Sequence, residues 1–270
     1  VFDLDGTVLR SDKAVSRRFQ DAVEKAVDKG VKFAFASGRT LESVVDLVNK
    51  IPELPVDTYI IACNGALIWE NKDSSIIRTE FLNHKDISII NNFAASINKP
   101  CYLSRNRALY SSYNERGATA ACKYSTLPIK LSGIDWSDCA LSTPKMMFIE
   151  EYEEIENIQA KIPFSLKERY HFVRSEPNYL EVMNKNVHKG SACQFLSELL
   201  NIPSSRIIAV GDEYNDVEML QFAGLGVAMG NARHEIKDIA DWVTQTNDCD
   251  GAAYVIERWI LSNDNVFESY

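Results

Sequence analysis

The sequence predicts an α/β fold, a parallel sheet covered by helices with an α+β module inserted into it. Three observations lead there. Short apolar runs alternate with helical periodicity at the start of the chain, and the same alternation returns at its end. Between them lies a stretch where helices mix with hairpin-like strands.

Val1-Phe2-Asp3-Leu4-Asp5-Gly6-Thr7 reads as a buried strand running into a turn. Only two residues precede Asp3, too few for a normal strand, so a few residues are expected ahead of Val1. In an extended chain residues i and i+2 share a side, so Asp3 and Asp5 are expected to emerge together at the strand end. Residues 16–29 form a helix with Phe19, Ala22, Val23, Ala26 and Val27 on one face and Gly30 as its stop. A strand over 31–36 runs into Ser37-Gly38-Arg39, a helix covers 41–50, and a strand over 59–63 ends at Asn64-Gly65-Ala66.

In the middle, Ile87, Ile90, Phe93, Ala94 and Ile97 mark a helix, and 154–162 a second. Strands are expected at 101–104, 108–112, 145–149, 170–173 and 179–183. Toward the end come a helix over 191–200, a strand over 207–210 and the loop Gly211-Asp212-Glu213-Tyr214-Asn215-Asp216. A helix (217–223), a strand (225–229), a helix (234–240), a strand (242–244) and a helix (252–261) follow. The spacing sets the organisation: residues 1–81 and 186–270 form the α/β core and residues 82–185 the inserted module.

Composition narrows the function. The chain of 270 residues is 46% hydrophobic and 25% charged, as a globular protein with a sizeable core is. Its net charge of −9 argues against nucleic acid or an anionic membrane as the main partner. No apolar run approaches membrane-spanning length, and the start carries no basic-then-apolar signal segment. Six scattered cysteines without a Cys-x-x-Cys pair read as reduced thiols of a cytoplasmic protein.

Asp3 and Asp5 follow the first strand, Ser37 the second, and Asp212, Asn215 and Asp216 a later one, while Lys189 opens a helix. Ligands of parallel sheets bind at the carboxyl ends of the strands. Four carboxylates there call for a hard divalent cation, and Mg²⁺ accepts such oxygens. A phosphate monoester would take the remaining donors, and an Asp can serve as covalent nucleophile with a second Asp as acid and base.

These four segments, taken in chain order with Lys189 ahead of the Gly211 to Asp216 loop, resemble the motifs of the haloacid dehalogenase (HAD) superfamily of phosphotransferases. Asn64-Gly65-Ala66, Tyr179-Leu180-Glu181-Val182, Gly226 to Ala232 and Asp250-Gly251-Ala252 are similar to its Cof-type phosphatases, subfamily IIB. The resemblance implies a Rossmann-like core with a C2B cap that closes over the leaving group. It implies Asp3 as nucleophile and metal ligand, and Asp5 as acid/base and as a ligand through its backbone carbonyl. Asp212 and Asp216 would complete the Mg²⁺ site, with Asp216 as ligand or supporting group. The Leu4 amide, Ser37, Gly38, Lys189 and Asn215 would hold the phosphoryl group. The expected activity is phosphatase action on small phosphorylated metabolites through an aspartyl-phosphate. A phosphomutase of the same architecture or a non-catalytic phosphometabolite sensor would carry the same residues. A monomer or weak homo-oligomer is expected.

Smaller features stay open at this level. Ser37 or Asp216 could simply cap a helix, and Asn64 could shape a turn or touch substrate. Between residues 99 and 134 six cations (Lys99, Arg105, Arg107, Arg116, Lys123, Lys130) face one acid, Glu115, which describes either a solvated basic patch or a substrate-gripping surface. Tyr102, Arg105, Arg107 and Tyr113 are the specificity candidates. Glu150 to Glu156 reads as a solvated acidic helix face.

Overall fold

The computed structural model describes residues 1–49, 51, 54, 57–111, 119–125 and 127–262. Ser112, Tyr113, Glu115 and Arg116 lie outside them. The chain divides into two compact units, Val1–Arg78 with His188–Tyr270, and Thr79–Val187.

The first unit begins with β1 (Phe2–Asp3), α1 (Arg17–Asp28), β2 (Ala34–Ala36), α2 (Leu41–Val48), β3 (Tyr59–Ala62), β4 (Leu67–Glu70) and β5 (Ser75–Thr79). Ser16 caps α1 by accepting from the Phe19 amide at 3.1 Å. Phe2 meets Phe19 edge-on at 5.6 Å and Phe33 face-on at 6.2 Å, which seats α1 against the sheet. The predicted strand over 31–36 is only three residues long as observed. The hairpin β4–β5 has no counterpart among the strands expected from the sequence pattern. Its strands are half-exposed, and Asn71, Lys72, Asp73 and Ser74 interrupt the apolar pattern between them.

The second unit contains β6 (Leu82–Asn83), α3 (His84–Ser96), β7 (Tyr102–Arg105), β8 (Ala108–Ser111), α4 (Thr119–Tyr124), β9 (Ile129–Lys130) and β10 (Ser142–Thr143). Then come β11 (Met146–Ile149), α5 (Tyr152–Lys161), α6 (Phe164–Arg169), β12 (Tyr170–Glu176) and β13 (Tyr179–Asn184). Six strands form one sheet in the order β12-β13-β11-β7-β8-β9. Ile87, Ile90 and Phe93 of α3 and Ile155 and Ile158 of α5 pack on one face with Leu103, Phe148 and Val182. The other face carries Tyr102, Leu109, Met147 and Ile149, covered by Ala121 of α4.

Two expectations change here. Tyr102 is fully buried in that small cluster, so it is a packing residue of the sheet, whereas Arg105 and Arg107 are exposed at a turn. The acidic run and the basic stretch partner each other: Lys99 reaches Glu154 at 2.7 Å and Lys123 reaches Glu151 at 2.8 Å. A buried ion pair, Lys145 to Glu181 at 2.5 Å, joins β13 to the residue preceding β11.

The chain then returns to the first unit with α7 (Lys189–Leu200), β14 (Ile208–Gly211), α8 (Val217–Phe222), β15 (Leu225–Ala228), α9 (His234–Ile239), β16 (Trp242–Val243) and α10 (Gly251–Ile256). The eight-stranded sheet runs β16-β15-β14-β1-β2-β3-β4-β5. Pairing from β16 through β3 is parallel, and β4 is antiparallel to β3. Among the described residues no helix is long and apolar enough to cross a membrane.

Candidate active site

From β1 the chain proceeds to β2 and β3 on one side, while β14, β15 and β16 lie on the other. The strand order therefore reverses between β1 and β14, and a crevice opens at such a switch point beyond the carboxyl ends of the strands. Phe2 registers with Val210, and Asp3 with Ala36. Asp3 thus leaves the sheet between the loop after Gly211 and Ser37.

Lys189, the first residue of α7, is fully buried and links two of these loops. Its Nζ donates to Asp3 Oδ1 at 2.6 Å and to Asp216 Oδ1 at 2.5 Å. Carboxylate oxygens of Asp3, Asp212 and Asp216 all lie within 4.8 Å of one another, and all three residues are buried. One lysine against three carboxylates leaves an excess of buried negative charge. Burial, then the charges of Asp216 and Asp212, push the Asp3 carboxyl well above its ordinary range despite the opposing pull of Lys189. Burial and Asp216 push Asp212 up to about 7, against the Thr7 hydroxyl and Lys189. Burial pulls Lys189 down, but Asp216 and Asp3 outweigh it and hold it charged. An all-oxygen set with surplus negative charge fits a hard divalent cation.

Neighbouring groups fix this cluster. Thr7 Oγ1 donates to Asp212 Oδ1 at 3.0 Å, and Asn231 Nδ2 reaches Asp212 Oδ2 at 3.4 Å and the Gly6 carbonyl at 2.8 Å. Gly6 has φ +80°, and a Cβ there would lie 2.3 Å from Asp212 Oδ2. Asp216 Oδ2 accepts from the Asp212 and Glu213 amides at 2.9 and 3.0 Å, so its carboxylate closes its own loop and does not cap α8.

Asp5 departs from the strand-face expectation. β1 ends at Asp3 and the chain turns, so Asp5 sits beyond the strand and its carboxylate is not part of the acidic cluster. Arg39 grips it with two bonds, Nε to Oδ2 at 2.5 Å and a terminal nitrogen to Oδ1 at 2.6 Å, and Lys13 adds a third at 3.2 Å. Burial pushes Asp5 up, but Arg39 and Lys13 outweigh it and the net shift is downward.

The expected anion-binding residues line the same edge. Ser37 is buried, and its Oγ accepts from the Arg39 amide at 3.2 Å. It does not cap α2, whose preceding residue is Thr40. Leu4 is buried with its carbonyl accepting from the Leu9 amide at 2.8 Å. Asn215 Nδ2 donates to Asn64 Oδ1 at 2.9 Å, and Gly38 leaves room for that same Asn64 side chain. Arg39, Thr7 and Asn231 had no assigned role in the sequence. Each lies within a quoted motif segment, but its partner is distant in the chain.

An acidic cluster around one buried lysine, at the carboxyl edge of a parallel sheet interrupted by an α+β unit, defines a phosphotransferase-class α/β protein. The chain belongs to the haloacid dehalogenase-like hydrolase family, whose model matches residues 1–256, and it is a hydrolase of the Cof type. A putative phosphatase of Haemophilus influenzae is 33% identical over 269 residues, covering 95% of each chain. The 5-amino-6-(5-phospho-D-ribitylamino)uracil phosphatase of Bacillus subtilis is 28% identical, with 96% of this chain and 94% of that one covered. Among solved structures, TM0651 from Thermotoga maritima matches with a TM-score of 0.78 at 30% identity, covering 95% of each chain.

Proposed function

We propose that this protein is a Mg²⁺-dependent phosphatase that hydrolyses small phosphorylated metabolites through an aspartyl-phosphate on Asp3. The observation that carries the reading is Lys189 held between Asp3 and Asp216 beside Asp212. A putative phosphatase and a 5-amino-6-(5-phospho-D-ribitylamino)uracil phosphatase, each matched over most of both chains, support the substrate class.

Asp3, Asp212 and Asp216, with the Asp5 carbonyl, would hold Mg²⁺, which neutralises phosphoryl charge when bound. Lys189 opposes the burial that raises the Asp3 carboxyl and offers positive charge to the phosphoryl oxygens, joined by Ser37, Asn215 and the Leu4 and Gly38 backbone. An Asp3 oxygen attacks phosphorus, the ester P–O bond breaks, and the departing oxygen takes a proton from Asp5. Asp5 then takes a proton from water, whose oxygen attacks phosphorus. The Asp3–phosphorus bond breaks and phosphate leaves. Arg39 and Lys13 hold Asp5 as the anion that this second step needs. Protonating the leaving group requires the Arg39 pair to open. In this reading residues 1–81 and 186–270 are the catalytic core, and residues 82–185 are the cap that selects the ester.

A phosphate-release screen over phosphorylated metabolites in Mg²⁺, with Asp3→Asn as the blank, tests this. Turnover by the wild type and none by the variant is expected. Intact hydrolysis of p-nitrophenyl phosphate by Asp3→Asn would refute attack by Asp3.

A further inference from the structure

Asn64 lies in the turn two residues past β3, in a left-handed conformation, φ 56°, and is buried. Asparagine tolerates that region better than most residues, so the local need is for Asn or Gly. Its side chain, however, does more than fill a turn. Its Oδ1 accepts from Asn215 Nδ2 at 2.9 Å, across 151 residues of sequence. Its backbone amide donates to the Ser37 carbonyl at 2.9 Å. A Cβ on Gly38 would stand only 3.2 Å from Asn64 Oδ1. One buried asparagine therefore joins the Ser37-Gly38 turn, through its backbone amide, to the loop carrying Asn215, through its side-chain oxygen.

We propose that Asn64 is a positioning residue that aims Asn215 at the phosphoryl group by fixing its side-chain amide against the Ser37-Gly38 turn. This rests on the phosphatase reading above. With one Asn215 Nδ2 hydrogen committed to Asn64, the amide plane is set and the other hydrogen points in a defined direction. Without Asn64 the Asn215 side chain turns freely, and its bond to an oxyanion must fix that rotation on binding.

The test is a double-mutant cycle on folded enzyme, using Asn64→Gly, which keeps the left-handed turn, with Asn215→Ala and the double variant. The readouts are Ki for inorganic phosphate and kcat/KM for p-nitrophenyl phosphate. Asn215→Ala is expected to weaken phosphate about tenfold or more, as loss of a bond to a charged group does. Asn64→Gly should weaken it roughly fivefold or more, and the double variant no more than the worse single one. The Asn215 side-chain amide resonances should also move in Asn64→Gly, a signature visible in any variant that folds. If Asn64→Gly leaves Ki within about twofold, or the losses multiply, the positioning role is wrong while the phosphate site stands. If Asn215→Ala itself leaves Ki unchanged, both that residue's phosphate role and the inference fall.

Discussion

Replacing Lys189 by methionine removes the cation that, among the described residues, is buried against Asp3 and Asp216 beside Asp212. Methionine keeps an unbranched apolar stem of similar reach, so packing changes least. Both bonds lost are short, 2.6 and 2.5 Å, and the lysine is fully buried, so solvent does not screen them. Breaking a buried ion pair by deleting one partner costs about 3–5 kcal/mol. Proton uptake by the abandoned carboxylates offsets part of this, so about 3 kcal/mol is expected near pH 8 in EDTA. For a domain of this size that lowers Tm by about 6–12 °C. The deficit should shrink near pH 5, where the carboxylates protonate, and should also shrink when Mg²⁺ supplies the missing charge. Thermal unfolding at the two pH values, with EDTA and with MgCl₂, reads all of this. A Tm at pH 8 within about 2 °C of wild type, or a deficit that grows on acidification, would show that Lys189 does not neutralise this cluster.

Other consequences can be checked independently. Asp212 is neutral-favouring in the fold, with its pKa raised from 3.8 to about 7. Its contribution is complete below the unfolded value and lost as pH rises toward the folded one, so metal-free wild type should lose stability between about pH 4 and pH 7. Saturating Mg²⁺ should flatten that fall in a calorimetric pH series, and an unchanged slope would contradict it. Gly6→Ala places a methyl against Asp212 Oδ2 at a positive φ. Its Mg²⁺ affinity by isothermal titration should drop at least about tenfold, and wild-type affinity would clear Gly6 of any role. In the second unit, Lys145→Met leaves Glu181 buried without its cation. Chemical denaturation should show a loss of about 3 kcal/mol, largely recovered in Lys145→Met/Glu181→Leu. A double variant no more stable than the single one would argue against that pairing.

The alternating grammar of the first unit was legible because its central parallel strands are short, wholly apolar runs such as Tyr59–Ala62 and Ile208–Gly211. Residues such as Asp3, Asp212 and Lys189 could be nominated because each sits where a strand ends or a helix begins. Their mutual geometry could not. Asp3 and Lys189 are 186 residues apart, and no local rule says that one ammonium serves both Asp3 and Asp216. Asp5 shows the opposite failure. A local rule, the shared strand face, does not reach Asp5, which lies two residues past the end of the strand. The β4–β5 hairpin and the burial of Tyr102 were missed because an edge strand and a small second core carry little periodicity of their own.

The inserted unit also dictates the order in which the molecule can be made. The second unit is continuous, Thr79–Val187, whereas the first needs both ends of the chain. On a ribosome β1 emerges early with β2 but waits for β14, because Phe2 pairs with Val210. The second unit has all its residues before Lys189 is synthesised, so it can fold while β1 still has an open edge. Long-range closure of this kind slows folding and exposes strand edges meanwhile. Asp3 therefore remains in water until the segment carrying Lys189, Asp212 and Asp216 arrives. Released chains ending at residue 188 should have a protease-resistant second unit and no metal-binding capacity.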